Sequence, residues 1–136
     1  MKTPKDIENW ISDFISTSAI ASVIEEREIF CEHSFQSGGR QQYAAVTAYI
    51  QPSEDFSIST DEKNIEKINL TQAKHGVIST LLFEFPHPVL KCKITLRDFQ
   101  ESDREHWTTG PMDYYSVSKK ATEKLMEKNF AWPELV

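Results

Sequence analysis

The segment His33–Pro52, HSFQSGGRQQYAAVTAYIQP, contains the clearest structural signal in the chain. Its Gly38-Gly39 pair uses two of only four glycines, and adjacent glycines are typical of a turn that needs positive φ. After the pair, small apolar residues alternate with larger polar and aromatic ones, as in a strand with one buried face. Before the pair, apolar residues recur at the same spacing of two, at Ile29, Cys31 and Phe35. The segment therefore predicts a β-hairpin with its tip at Gly38-Gly39-Arg40.

The composition is that of one small folded domain. The chain has 136 residues, 39% of them hydrophobic and 11% aromatic, which is enough for a single core. We predict one domain over residues 1–136, with an N-terminal helix and link (1–25), a core (26–130) and a tail (131–136). The sequence has no apolar run long enough to span a membrane, and its first residues are acidic and amphipathic rather than those of a signal peptide. We therefore expect a cytoplasmic protein.

Two further features follow from charge and cysteine content. The formal net charge is −6, and residues 1–34 alone carry seven acids against three bases, a net of −4. Nucleic-acid binders are usually basic, so any contact with a polyanion would have to be local. Cys31 and Cys92 both fall at strand positions that the alternation turns inward. We predict buried, reduced thiols, because two cysteines alone do not establish a disulfide.

The rest of the chain predicts more strands and helices. A capping signal at Thr3-Pro4 opens a first helix, DFSIST (55–60) gives a short strand, and residues 64–85 form a helix that Pro86 and Pro88 end. Residues 89–99, VLKCKITLRDF, alternate cleanly, and Pro111 opens a last helix. We expect the following to be buried: Ile68, Ala73, Val77, Ile78, Leu81 and Leu82; Leu90, Cys92, Ile94 and Leu96; Tyr114, Val117, Ala121 and Leu125. The predicted class is α+β, a four-stranded sheet with helices on one face in the order β-β-β-α-β-α after the N-terminal helix.

Two segments resemble domain IV of elongation factor G. Residues 36–46, QSGGRQQYAAV, resemble its hairpin tip, whose pattern is close to Q-[ST]-G-G-[RK]-G-Q-Y-[GA]-x-V. Residues 85–99 resemble, less specifically, the family's G-[FY]-P-V-[VT]-D-[IV]-x-[VI]-x-L-x-D-G. The matching positions are Gln36, Ser37, Gly38, Gly39, Arg40, Gln42, Tyr43 and Val46, then Pro88, Val89, Ile94, Leu96 and Asp98. The likeness extends from about Ile29 to about Lys128.

The resemblance implies a fold similar to the second domain of ribosomal protein S five, with a left-handed βαβ crossover. It also implies a translation context, because in the elongation factor this domain reaches the decoding region and helps to carry transfer RNA and messenger RNA. The residues that carry over as a candidate binding site are Ser37, Gly38, Gly39, Arg40, Gln42 and Tyr43, with His106 as the nearest echo of the family's second tip loop, S-x-H-x-V-D-S-S.

This chain also departs from the family. Gln41 replaces the glycine after the tip arginine, and the second tip loop has no clear counterpart in residues 100–110, QESDREHWTTG. No GxxxxGK[ST] motif is present, so the chain cannot be a translocase by itself.

Catalytic and metal chemistry find no support in the sequence. The four histidines fall on separate elements, no cysteine pair has ligand spacing, and no local motif joins a nucleophile to a base. We expect no enzyme activity, no metal and no cofactor. Arg40 has the strongest case for a function, since a guanidinium at an exposed tip can bind phosphate or carboxylate with two hydrogen bonds. The alternative is that Gly-Gly-Arg only closes a soluble hairpin.

Two functional interpretations remain open. The first is a noncatalytic module that binds the ribosome or structured RNA through the Arg40 tip. The second is a small acidic protein that reuses the fold to bind a single protein partner, as a regulator, inhibitor or immunity-type protein would. The tip sequence favours the first, while the net charge and the altered second loop favour the second.

Overall fold

The computed structural model describes residues 5, 6, 9, 21–60, 65–83, 90–102 and 105–131. These ranges contain six strands and two helices longer than two turns, which we number in chain order. They are β1 (Ala21–Val23), β2 (Arg27–Ser37), β3 (Arg40–Pro52), β4 (Ser57–Thr60), α1 (Lys67–Phe83), β5 (Leu90–Gln100), α2 (Pro111–Met126) and β6 (Phe130–Ala131). Neither helix is long and apolar enough to cross a membrane.

The strands form one mixed sheet centred on β5. Its order is β2-β3-β5-β1-β6, and β4 also pairs with β5. Strand β3 runs antiparallel to both β2 and β5, whereas β1 and β4 run parallel to β5. Since β3 occupies one side of β5, β1 and β4 share the other, with β1 at Leu90 and Lys91 and β4 at Lys93–Leu96. Helix α1 makes the connection between the parallel strands β4 and β5.

The predicted α+β class is confirmed, but the predicted strand count is wrong. The four predicted strands correspond to β2, β3, β4 and β5, and the sheet has two more. Strand β1 lies in the segment predicted as a link, and β6 crosses the predicted boundary between core and tail. With three and two residues, these strands are too short to show an alternation, and each is held by partners distant in sequence.

The core lies between the inward face of the sheet and the two helices. The alternation predicted on β5 is confirmed, since Lys91, Lys93 and Arg97 stay partly exposed. On β3 it is confirmed from Val46 to Gln51, whereas Ala45 is buried although it lies on the opposite face from Ala44 and Val46. The predicted buried positions that the structure confirms are Ala44, Val46, Ala48 and Ile50, Cys92, Ile94 and Leu96, Ala73, Val77, Ile78 and Leu81, and Tyr114, Val117, Ala121 and Leu125. Ile68 is the exception at 38% exposure, because it lies in the first turn of α1, beyond the packed part of the helix.

Some predictions fall on residues outside the described ranges. They include most of the N-terminal helix, of which Lys5, Asp6 and Asn9 are described and are helical. Pro86, Pro88 and the tail after Ala131 also lie outside, as do the side chains of Leu82 and Leu90.

A bulge near the end of β5 changes which side chains face the core. Between the pairs Thr47–Arg97 and Ala45–Gln100, β3 advances two residues while β5 advances three. The extra residue coincides with Asp98, whose φ of +52° is in the left-handed region. The alternation of β5 therefore shifts by one residue at this point.

This shift determines which face of the sheet Phe99 and Gln100 lie on. Asp98 is exposed, whereas Phe99 packs on the core with its ring edge-on to that of Tyr114, at a centroid distance of 5.5 Å. Gln100 consequently lies on the open face of the sheet, the face away from the helices. There it lines the same cavity as Tyr43, which is described below.

Candidate functional site

The hairpin tip has the geometry that the glycine pair predicts. Ser37 pairs with Arg40, so the turn has two residues, and these have φ of +55° at Gly38 and +83° at Gly39. Positive φ at both central positions is the signature of a type I′ turn, whose twist matches that of the flanking strands. A Cβ at either glycine would have no described atom within 4 Å. The glycines are therefore required by the backbone conformation and not by crowding.

Arg40 follows the turn and is exposed. Within the described part of the chain, its guanidinium has no hydrogen bond or ion pair. Arg97, a second arginine on the sheet, differs in this respect. It forms an ion pair with Glu28 and lies over the Tyr49 ring, 5.8 Å from the centroid. Arg40 thus presents its charge to solvent while Arg97 is engaged on the open face.

The open face around Tyr49 is a network of polar contacts. A hydrogen bond to Glu26 raises the pKa of the Tyr49 phenol, and desolvation acts in the same direction. Lys93 and Thr95 of β5 are half-buried, and they pair with Ser57 and Ser59 of the neighbouring strand β4. The predicted solvated face of β5 is therefore partly occupied by contacts within the sheet.

A second segment, residues 105–110, lies against the tip end of β3. Thr108 and Gln42 form a parallel bridge, in which the Tyr43 N–H donates to the Thr108 carbonyl at 3.0 Å and the Thr108 N–H donates to the Gln41 carbonyl at 2.9 Å. The Thr109 hydroxyl adds a bond to the Tyr43 carbonyl at 2.6 Å. We call this segment the companion loop. Backbone hydrogen bonds to β3 fix its position, and its polar, irregular sequence does not predict them.

The end of the companion loop is fixed by the start of α2. The Asp113 carboxylate is buried and accepts the Gly110 N–H at 2.8 Å, and Pro111 occupies the first turn as predicted. The other oxygen of Asp113 lies 3.9 Å from His33 Nε2 on β2. Asp113 therefore joins the companion loop, α2 and the hairpin at a single point.

The structure places the companion loop, which contains His106, beside the tip end of the hairpin. The bridge between Gln42 and Thr108 is parallel, so the two segments run in the same direction. The residues before Gln42 lead back to the tip, and the residues before Thr108 therefore lie toward the tip as well. His106 accordingly lies toward the tip, with φ of +72° and a side chain that is 82% exposed. Its ring Nε2 is 3.9 Å from the Glu105 carboxylate. Ser37, Gln42 and Tyr43 lie on the hairpin itself, so all seven predicted positions belong to one end of the molecule.

A cavity that the sequence does not predict opens on the same end of the sheet. It has a volume of about 570 Å³ and is lined by Glu32, Ser34, Tyr43, Gln100, Glu101, Ser102 and Trp107. The Tyr43 hydroxyl donates to Glu32 Oε2 at 2.8 Å. The sequence could have predicted part of this lining, because a two-residue turn fixes the hairpin register and thereby pairs Ser34 with Tyr43. The position of Trp107 depends on where the companion loop lies, and no sequence pattern predicts that.

The described residues supply carboxylates, hydroxyls and aromatic rings to this end of the molecule. Among them, no three histidine, cysteine, aspartate or glutamate side chains come together closely enough to hold a metal ion. The arrangement can bind through Arg40 at the tip and through the polar cavity beside it.

Comparison with known proteins shows the fold and no more. No protein-family model matches the chain, and no curated protein matches it at a significant level. A crystal structure of a protein from Thermus thermophilus is similar, with a TM-score of 0.63 and 14% sequence identity over 81% of this chain. This chain spans 17% of that protein's length. The same fold therefore occurs there as one part of a larger chain.

Proposed function

We propose that this chain is a noncatalytic binding module, resembling domain IV of elongation factor G, that contacts the ribosome or structured RNA through Gly38-Gly39-Arg40. The observation that carries the proposal is the exposed guanidinium of Arg40 directly after a two-glycine turn. The sequence of residues 36–46 supports the translation context, since it resembles the tip of the elongation factor domain.

The tip is suited to a phosphate backbone in two ways. Gly38 and Gly39 have no side chains, so a ligand can approach the main chain closely at the turn. Arg40 can then form two parallel hydrogen bonds to phosphate oxygens, a geometry that lysine does not offer. The net charge of −6 provides no general attraction to RNA, so this local contact has to supply most of the affinity.

The companion loop favours binding by holding the tip end of β3 in place. Its backbone bonds to Gln41 and Tyr43 reduce the freedom of the strand that bears Arg40. A site that is ordered before binding loses less conformational entropy when a ligand arrives.

The test is co-sedimentation with purified small ribosomal subunits over a salt series. The variants are Arg40→Ala and Arg40→Lys, and the matched control is Lys124→Ala. The Lys124 side chain is exposed in the last turn of α2. Its backbone carbonyl lies 3.5 Å from the Arg27 guanidinium, and Arg27 begins β2 at the end opposite the tip, so Lys124 is far from Arg40. We expect binding by the wild type and the control, weaker binding by Arg40→Lys and the weakest by Arg40→Ala. Failure of the wild type to sediment at low salt would overturn the proposal.

A second candidate function is binding of one protein partner, as by a small acidic regulator, inhibitor or immunity-type protein. The observation that favours it is the exposed carboxylates of Glu101, which precedes the companion loop, and Glu105, which is the first residue of that loop. Both charges repel phosphate and attract basic protein surfaces. A pull-down from native lysate separates the two functions, since it recovers either ribosomal subunits or one discrete protein.

A further inference from the structure

The cavity beside the tip has a size and a place that suit a ligand group. Its volume of about 570 Å³ falls in the range of about 300–1,000 Å³ that is usual for small-molecule sites. The floor belongs to three strands, because Glu32 on β2 and Gln100 on β5 are both paired with Ala45 of β3. Glu101, Ser102 and Trp107 come from the segment that continues β5 toward α2. The strands therefore form one side of the cavity, and Glu101, Ser102 and Trp107 form the other.

The lining combines negative charge with aromatic surface. Glu32 and Glu101 are both exposed carboxylates, and among the described residues neither forms a salt bridge. The ammonium of Lys120 donates to the backbone carbonyl of Glu32 at 3.0 Å, but Lys120 is not among the described residues that line the cavity. Trp107 and Tyr43 add ring surface beside these charges. The face of a tryptophan ring attracts cations more strongly than that of any other aromatic side chain, and carboxylates attract the same cations by charge.

We infer that this cavity binds a guanidinium or ammonium group. The Glu101 and Glu32 carboxylates accept hydrogen bonds from the cation, and the rings of Trp107 and Tyr43 contact its faces. The hydroxyls of Ser34 and Ser102 and the amide of Gln100 provide further acceptors for its N–H groups. The cation comes either from a basic side chain of a protein partner or from a free organic cation, and both have the same charge and donors. The inference concerns a site distinct from Arg40 and does not rest on ribosome binding.

The described residues of the lining disfavour other ligand classes. Phosphates and carboxylates meet two like charges, and a purely apolar group would leave the carboxylates without hydration or partners. A neutral isostere of arginine should therefore bind much more weakly than arginine itself. Citrulline is such an isostere, because it keeps the length and shape of the arginine side chain without the charge.

The experiment is an NMR titration of the ¹⁵N-labelled full chain with N-acetyl-arginine amide and, in parallel, N-acetyl-citrulline amide. The indole N–H signal of Trp107, assigned with Trp107→Phe, reports binding at the cavity. We expect a saturable shift with the arginine compound and at least about tenfold weaker binding of the citrulline compound. Glu101→Gln and Glu32→Gln should each weaken the arginine complex by about three- to tenfold, as for loss of one charge-assisted bond. Glu123→Gln, an exposed carboxylate on α2, should leave it unchanged.

Two more titrations separate the sources of the cation. Tighter binding of a short arginine-containing peptide than of spermidine indicates a protein side chain, and the reverse order indicates a free cation.

Equal binding of the arginine and citrulline compounds, or no saturable shift of the Trp107 signal, would overturn the inference. So would a loss of affinity in Glu123→Gln as large as that in Glu101→Gln.

Discussion

A Cβ atom built on Gly76 of α1 would lie 2.3 Å from the backbone oxygen of Tyr115 of α2. The two helices therefore touch main chain to main chain at this point, and no side-chain rotation can relieve an added methyl group. We predict that Gly76→Ala lowers the free energy of unfolding by about 1–3 kcal/mol, the usual cost of overpacking. We expect this range after the gain of about 1 kcal/mol that alanine brings to a helix is subtracted, because a Cβ 2.3 Å from a backbone atom forces the helices apart.

Urea unfolding of Gly76→Ala, with Glu123→Ala as an exposed helix control, measures this effect. An unchanged or raised midpoint for Gly76→Ala would show that the helices separate without cost.

The turn at Gly38-Gly39 provides a second prediction. Gly38→Asn should leave the free energy of unfolding nearly unchanged, because asparagine tolerates φ near +55° and favours the first position of a type I′ turn. Gly39→Val should cost about 1–2 kcal/mol, because a β-branched residue resists φ of +83°. Since no described atom lies near either Cβ, the difference reports backbone conformation alone. Equal stability of the two variants in urea would argue against the turn type.

Arg40→Ala should change binding without changing stability. The side chain is exposed and has no partner among the described residues, so we expect the free energy of unfolding to stay within about 0.5 kcal/mol of wild type. Binding to ribosomal subunits should weaken by about 1–3 kcal/mol, as for one lost charge-assisted hydrogen bond. The salt dependence should be shallow, because few phosphates are contacted. A large loss of stability in urea would assign Arg40 a structural role instead.

The cysteines predict a loss of stability at high pH. Burial raises the pKa of the Cys92 thiol to about 12, and burial also raises that of Cys31, which Lys124 and Lys120 partly oppose. Both thiols are free in the structure. Between pH 9 and the folded pKa, the unfolded chain has already lost thiol protons that the folded chain retains. The free energy of unfolding should therefore fall as pH rises, by at most about 1.4 kcal/mol per pH unit for each thiol.

Urea unfolding under reducing conditions from pH 8 to pH 10.5 measures this slope. Cys92→Ala is less stable throughout but should show a shallower slope than wild type, which separates the thiol from lysine titration. A thiol reagent should also react slowly with the native protein and rapidly once it is unfolded. Rapid native labelling would contradict both expectations.

Asn129 supports the fifth prediction. Its side chain is fully buried, accepts the Glu25 N–H at 2.9 Å and donates to the Glu25 and Leu125 carbonyls at 3.1 Å each. Asn129→Ala should lower the free energy of unfolding by about 1–3 kcal/mol. The part-buried N–H and carbonyl of Glu25 lose this partner, and among the described residues the Leu125 carbonyl keeps only a 3.4 Å bond from the Arg27 guanidinium. Asn129→Asp keeps the acceptor but loses both donors, so it should also destabilise. Near wild-type stability of either variant in urea would show that water replaces these bonds.

The parts of the fold that the sequence predicts are those with a regular local pattern. The alternation around Ala48 and Ile94 and the helical face of Val117 and Leu125 each depend on neighbours within a few residues. The type I′ geometry follows from Gly38-Gly39 for the same reason. These signals are strong because one face of each element is buried and the other is not.

The parts that the sequence does not predict depend on contacts between distant segments. Asn129 meets Glu25 across 104 residues, and a polar residue after a helix has no pattern that indicates such a partner. The bulge at Asp98 interrupts the alternation of β5 and is accompanied by the contact of Phe99 with Tyr114, a residue of α2 that is distant in sequence. For the candidate site, the hairpin residues were predictable, but Trp107 and the cavity required the companion loop to be placed first.

The bridge between Gln42 and Thr108 has a consequence for local motion. Two backbone hydrogen bonds and the hydroxyls of Thr108 and Thr109 hold the companion loop to β3, and the bonded residues are 65 to 67 positions apart in the chain. Such a segment can detach while the sheet stays intact, whereas amides in the centre of β3 are released only when the sheet opens. The amides of Tyr43 and Thr108 should therefore exchange with deuterium sooner than those around Ala48, and at similar rates, since one detachment exposes both. We therefore predict that the companion loop and the tip end of β3 open together, at a lower free energy than the centre of the sheet.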